Sequence, residues 1–118
     1  MALRVRPLAA PFGAEVIGMD FSRPVDDATV AEIEDAWYRH SILLFRGVRM
    51  NPAQHVAFTR KLGPTHIMEP LEFNLPGFPE VLVVSNVVKD EVPIGIKRAG
   101  WGWHSDGEDK ARPAREAT

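Results

Sequence analysis

Apolar and charged positions alternate through Leu3-Arg4-Val5-Arg6, which predicts a short edge strand broken by Pro7 and Pro11. Gly13-Ala14-Glu15-Val16-Ile17-Gly18 reads as a second short strand between glycines. Val30, Ile33 and Trp37 then recur at helical spacing, with Glu32, Glu34, Asp35 and Arg39 largely on the other faces. With Asp26 or Asp27 as N-cap, this predicts a helix from about Ala28 to His40. The apolar run Ser41-Ile42-Leu43-Leu44-Phe45-Arg46 ends at Gly47 and suits a strand covered on both faces. Asn51-Pro52 starts a second helix carrying Val56, Ala57, Phe58 and Leu62, closed by a C-cap glycine in Gly63-Pro64. Thr65 to Pro79 has little periodicity and reads as a long loop. Val81 to Val88 is the clearest strand signal in the chain, Lys89 to Gly100 reads as a loop, and Trp101 to Asp106 as a return to strand. Lys110 to Thr118 carries almost no large apolar residue and is expected to be frayed.

At 118 residues the chain is enough for one small domain. A net charge of -2 with no basic cluster argues against nucleic-acid and anionic-membrane partners. No apolar run approaches the roughly 20 residues of a membrane-spanning helix. The first eleven residues lack the uninterrupted apolar stretch of a secretory signal. With no cysteine, disulfides, thiolate metal sites and cysteine nucleophiles are excluded. A cytoplasmic location fits, though lack of cysteine does not require it.

The candidate chemistry sits in Trp101-Gly102-Trp103-His104-Ser105-Asp106-Gly107. On a strand, residues i and i+2 share a face with Cβ atoms roughly 6.5–7 Å apart. An imidazole and a carboxylate can converge on one metal ion from there, and such a pair supplies two ligands of a 2-His-1-carboxylate site. The alternative is a surface histidine beside an Asp-Gly turn. Other sites fail on spacing. Asp106-Gly107-Glu108-Asp109 is not an EF-hand loop, and Ser105 between His104 and Asp106 is not a hydrolase triad. No P-loop, dinucleotide fingerprint or nucleophile elbow is present.

The order of motifs resembles the N-terminal half of the TauD/TfdA family, the taurine-dioxygenase-like Fe(II)- and 2-oxoglutarate-dependent oxygenases. The matching pieces are Gly13-Ala14-Glu15-Val16, Leu43-Leu44-Phe45-Arg46-Gly47, Gln54-His55-Val56-Ala57-Phe58, Leu62-Gly63-Pro64 and Trp103-His104-Ser105-Asp106-Gly107, over roughly residues 3 to 109. The resemblance implies a mostly β, α+β fold: a partial double-stranded β-helix (jelly roll) with two flanking helices. It makes 1–109 the N-terminal part of an oxygenase domain and 110–118 a disordered or aberrant tail. It implies that His104 and Asp106 are iron ligands, with 2-oxoglutarate as cosubstrate and O2 as oxidant. The implied reaction hydroxylates a small organic substrate and releases succinate and CO2.

The family pattern also calls for a later histidine as third ligand and a later arginine for 2-oxoglutarate. No histidine follows His104, and Arg112 and Arg115 lie too close to Asp106 to match. The expectation is a truncated form of a longer gene product that does not turn over 2-oxoglutarate alone. A non-catalytic metal- or small-ligand-binding remnant is the alternative. Half a jelly roll leaves strand edges open, so a homo-oligomer through those edges is a further expectation. By the same resemblance His66 contacts substrate; otherwise it is a solvated loop histidine. Asn86, on the strand before the motif, either lines the pocket or points outward. Trp101 and Trp103 read as core or pocket wall, Ile33 and Trp37 as core, His55 as exposed, and His40 as a favourable charge at a helix C-terminus.

Overall fold

The computed structural model describes residues 3–69, 71–106 and 110–112. The chain divides into two units, Met1–Leu62 and Gly63–Thr118.

In the first unit, β1 (Arg4–Pro7) and β2 (Ala14–Ile17) form an antiparallel pair with Arg6 opposite Glu15. Pro7 is tolerated because β1 lies at the sheet edge, where a missing N–H costs no ladder bond. The turn closes through the Leu8 N–H donating to the Gly13 carbonyl, with Gly13 at φ +97°. A side chain there would be strained, and its Cβ would press Leu8 Cδ1 at 3.1 Å.

Helix α1 (Asp27–His40) follows, its first turn capped by Asp26 Oδ1 accepting from the Thr29 N–H at 2.8 Å. It ends at Ser41, which takes φ +67° and donates its N–H to the Trp37 carbonyl. The chain then returns as β3 (Leu43–Leu44), parallel to β2. The sheet order β1-β2-β3 makes β2 the central strand, so Ala14, Glu15 and Val16 are all buried.

The predicted strand at 41–46 is therefore shorter and less covered than expected. It pairs along one edge only, Leu43 and Leu44 are half-buried, and Ile42 is 53% exposed. Helix α2 (Pro52–Leu62) opens on a reciprocal capping box, in which Asn51 N–H donates to Gln54 Oε1 and Gln54 N–H to Asn51 Oδ1. Gly63 ends it without adopting a left-handed φ, contrary to the C-cap expectation. Pro64 crowds the residue before it toward extended geometry, which stops the helix by another route.

Phe21, Ile33 and Phe58 form the core of this unit, with Leu3, Met19, Val25, Leu43, Phe45, Val48, Met50 and Leu62 packed around them. The Phe21 ring meets Phe58 and Phe45 edge-on, at centroid distances of 4.8 and 5.7 Å. Val30 and Ile33 are buried as expected, while Trp37 is half-buried beside Tyr38.

The second unit departs further from the pattern. The expected loop 65–79 contains a 3-10 turn (Leu71–Phe73), β4 (Asn74–Leu75) and the start of β5 (Phe78–Leu82). Pro76-Gly77, with Gly77 at φ +82°, reverses the chain between β4 and β5. The strand expected at 81–88 thus begins at Phe78 and stops at Leu82, leaving Val84 in a single bridge to Ile96. The expected loop 89–100 holds a second hairpin, β6 (Val88–Lys89) and β7 (Val92–Pro93). Asp90 and Glu91 form its two-residue turn, both at positive φ.

Gly95 is required by close approach, because a Cβ there would sit 2.6 Å from the Val83 carbonyl oxygen. The architecture is α+β. Helices of 14 and 11 residues outweigh strands of two to five, so the mostly β expectation does not hold for the described residues. The expected fraying of 110–118 falls mainly on residues outside those described.

Candidate metal site

Hydrogen bonds to Val83 and Ser85 hold Ile96 in place, with the Ile96 N–H donating to the Val83 carbonyl and the Ser85 N–H to the Ile96 carbonyl. Two residues on, the Arg98 N–H donates to the Asn86 side-chain oxygen at 3.1 Å. This tie joins the segment after β5 to the segment carrying His104. From there the backbone runs through bends rather than a strand, so the expected strand at Trp101–Asp106 is absent. Gly100, at φ +72°, and Gly102 permit the bends, and no sheet partner flanks this segment among the described residues.

The turn brings His104 and Asp106 closer than a strand would. His104 Nε2 lies 3.1 Å from Asp106 Oδ1. On its other side, His104 Nδ1 lies 2.7 Å from the Gly102 carbonyl oxygen. A carbonyl only accepts, so Nδ1 carries the proton and donates it. In the neutral ring Nε2 then presents a lone pair toward a carboxylate oxygen. Two such donors so close call for a cation: a proton on the ring or a metal ion between them.

The separation fits a metal. An imidazole nitrogen and a carboxylate oxygen 3.1 Å apart are the donor types that would share one such ion. A ring nitrogen tied to a backbone carbonyl is also the usual support for a metal-binding histidine. These two residues would hold the ion, and no cluster of three His, Asp or Glu side chains exists among the described residues. The pair is open to solvent, with side-chain exposures of 47% and 68%.

Other expected site residues are not gathered here. His66 is half-buried in the segment that follows Pro64, outside any three-ligand cluster among the described residues. Asn86 is exposed, and its carboxamide oxygen holds the Arg98 backbone. Trp101 and Trp103 are 76% and 107% exposed, not core, because the bends turn them away from any packed layer in this unit. His55 is half-buried rather than exposed, on the helix that buries Val56 and Phe58. Sequence reasoning missed Arg98, whose guanidinium carbon lies 5.3 Å from the Trp101 ring centroid. Nothing in the spacing of Lys97-Arg98 marks it; only the bend places it over the ring.

Residues 4–115 match the family described as taurine catabolism dioxygenase TauD, TfdA family, and the chain belongs to that family. An (S)-phenoxypropionate/alpha-ketoglutarate-dioxygenase of Sphingobium herbicidovorans is 31% identical over 114 residues, covering 89% of this chain and 35% of the relative. Pentalenolactone F synthase of Streptomyces avermitilis is 34% identical over 107 residues, covering 87% of this chain and 35% of its own length. A taurine dioxygenase of known structure from Burkholderia xenovorans superposes with a TM-score of 0.66 at 34% identity, over 75% of this chain and 32% of the other. The chain therefore spans about a third of the length of these relatives. Among the described residues no helix is long and apolar enough to cross a membrane.

Proposed function

We propose that the chain is the N-terminal part of an Fe(II)- and 2-oxoglutarate-dependent dioxygenase that hydroxylates a small organic substrate in the cytoplasm. The observation that carries this reading is the 3.1 Å approach of His104 Nε2 to Asp106 Oδ1, with Nδ1 anchored on the Gly102 carbonyl. Membership of the TauD/TfdA family supports it. His104 and Asp106 hold the metal, and the Gly102 carbonyl fixes the imidazole so that Nε2 faces it. When bound, Fe(II) with 2-oxoglutarate and O2 supplies decarboxylation of the keto acid to succinate and CO2, coupled to hydroxylation of a C–H bond.

In this reading a histidine and an arginine beyond those of these 118 residues complete the metal and keto-acid sites. Later strands complete a jelly roll over the second unit. His66 contacts the substrate, and where those later strands are lacking the strand edges stay open and the chain forms a homo-oligomer through them. That edge reading is supported by Val84, Val87, Val88, Val92 and Ile94, all large apolar residues left exposed around the short strands β6 and β7.

Mn(II) titration followed by electron paramagnetic resonance tests the metal site. Weak binding is expected for the parent chain, falling at least about tenfold in His104→Ala and in Asp106→Ala as one of two ligands is lost. Equal affinity in all three would refute the assignment. The purified 118-residue chain is expected to form no succinate, and stoichiometric succinate would overturn the division of the site. The two-ligand cluster also favours a second reading, a non-catalytic metal- or small-ligand-binding remnant. Adding the coding sequence for a later His and Arg separates the two, since only the oxygenase reading gains turnover.

A further inference from the structure

We propose that the face of the β1-β2-β3 sheet turned away from the core docks an extended acidic polypeptide segment of a partner protein. This face belongs to the first unit, and nothing in it depends on the His104–Asp106 pair.

Strand alternation sorts the sheet residues onto two faces. Leu43 and Phe45 pack against Phe21, Ile33 and Phe58, so they mark the face turned to the core. The register then places Arg4, Arg6, Glu15, Ile17, Leu44 and Arg46 on the opposite face. Side-chain contacts agree with that placement. Arg6 Nη2 meets Glu15 Oε2 at 2.5 Å, and Arg46 Nε lies 3.5 Å from Glu15 Oε1.

The face thus carries three guanidinium groups against one carboxylate, on a chain whose net charge is -2. No basic run in the sequence marks it, because strand pairing gathers arginines that lie up to 42 positions apart. Glu15 leaves most of the donor capacity unspent, since each guanidinium has five N–H groups. Arg6 and Arg46 keep 67% and 66% of their side chains in water. Arg4 is exposed, and no carboxylate pairs with it among the described residues.

Charge complementarity selects an acidic occupant, and spacing selects a segment over a single small acid. The Arg6 and Arg46 heads converge on Glu15, while Arg4 stands two residues along β1 from Arg6, with Cβ atoms roughly 6.5–7 Å apart. Acidic side chains spaced along an extended segment reach both positions, each through charge-assisted hydrogen bonds. Ile17, across from Arg4, and Leu44, across from Glu15, are half-buried and give such a segment apolar contact. None of the six positions is aromatic, so the face lacks the stacking platform on which single-stranded nucleic acid binds.

The test is fluorescence anisotropy of a fluorescein-labelled ten-residue oligoglutamate titrated with the full chain at about 0.1 M salt, where charges more than about 10 Å apart are largely screened. Saturable binding is expected. Arg4→Glu should raise its Kd about tenfold, because one attraction becomes a repulsion. Arg39→Glu makes the same charge change on α1 and should leave Kd within about twofold. Circular dichroism checks that each variant keeps the parent fold, and Arg4→Gln, expected to raise Kd about threefold, serves if Arg4→Glu does not. Absence of binding, or an equal loss in Arg4→Glu and Arg39→Glu, would overturn the proposal. Displacement of the peptide by millimolar sulfate at matched ionic strength would reduce the face to a small-anion site and overturn it too. An oligothymidylate that binds more tightly than oligoglutamate, and is lost in Arg4→Glu, would give the face to nucleic acid instead.

Discussion

Glu15 offers a quantitative test of how the first unit is held together. Its side chain is only 10% exposed on the central strand β2, gripped by Arg6 Nη2 at 2.5 Å and by Arg46 Nε at 3.5 Å. Both arginines keep about two-thirds of their side chains in water, at 67% and 66%. The two sides of the interaction therefore differ. Remove the carboxylate and the guanidinium groups return to solvent at little cost. Remove the arginines and a buried carboxylate loses its compensation.

Breaking a fully buried pair costs about 3–5 kcal/mol, and exposed pairs are worth about 0–1 kcal/mol. With a buried acid and exposed bases, the Arg6→Met/Arg46→Met double variant should lose about 2–3 kcal/mol. Glu15→Gln, which keeps shape and hydrogen-bonding capacity, should lose about 1 kcal/mol or less. For a unit of this size the double variant should melt roughly 8–24 °C below the parent, and Glu15→Gln less than about 8 °C below it. Thermal unfolding followed by circular dichroism on the full chain measures both. If Glu15→Gln destabilises as much as the double arginine variant, the asymmetry argument is wrong.

Phe58→Ala removes the ring that Phe21 meets at 4.8 Å and should cost about 3–5 kcal/mol, seen as a lowered urea midpoint. Gly95→Ala drives a methyl toward the Val83 carbonyl, 2.6 Å from the ideal Cβ position, and displaces the Ile96–Val83 hydrogen bond. It should destabilise the second unit by about 1–3 kcal/mol, and unchanged amide exchange at Ile96 would contradict that. The Thr29 backbone and hydroxyl hydrogen bonds hold the Asp26 carboxyl below its ordinary range. Because the folded value lies below the unfolded one, the contribution to stability is complete above about pH 3.9 and is lost as pH falls through the lowered folded value. Asp26→Asn caps without a charge, so the acid loss of helix signal at 222 nm should flatten, and an identical acid limb would argue against the cap.

The first unit was legible because its signals are local. The Asp26 cap, the Val30-Ile33 stripe, the Asn51-Pro52 start and the stop at Gly63-Pro64 each act within one or two turns of chain, and both helices stand where expected. The second unit was less legible because its order comes from pairings between distant residues. The run Val81 to Val88 has the propensity of one long strand. Pairing with β4 shifts its start to Phe78, and the bridge to Ile96 and the Asp90-Glu91 turn divide its end.

The candidate site divides in the same way. Family membership was readable in the chain, and so was the closeness of His104 to Asp106, since residue identity and spacing are properties of sequence. The route by which the pair converges was not. An i, i+2 strand geometry was expected, and bends at Gly100 and Gly102 bring Nε2 to 3.1 Å from Oδ1 instead. Arg98 was invisible because an arginine has no periodicity and no cap to mark it. Only the left-handed backbone held by Asn86 places it on Trp101. Sequence thus determined the family and which candidate groups lie close along the chain, through their chemistry and order. Tertiary structure decided which of them meet, because backbone hydrogen bonds and bends set directions that no residue carries in its own side chain.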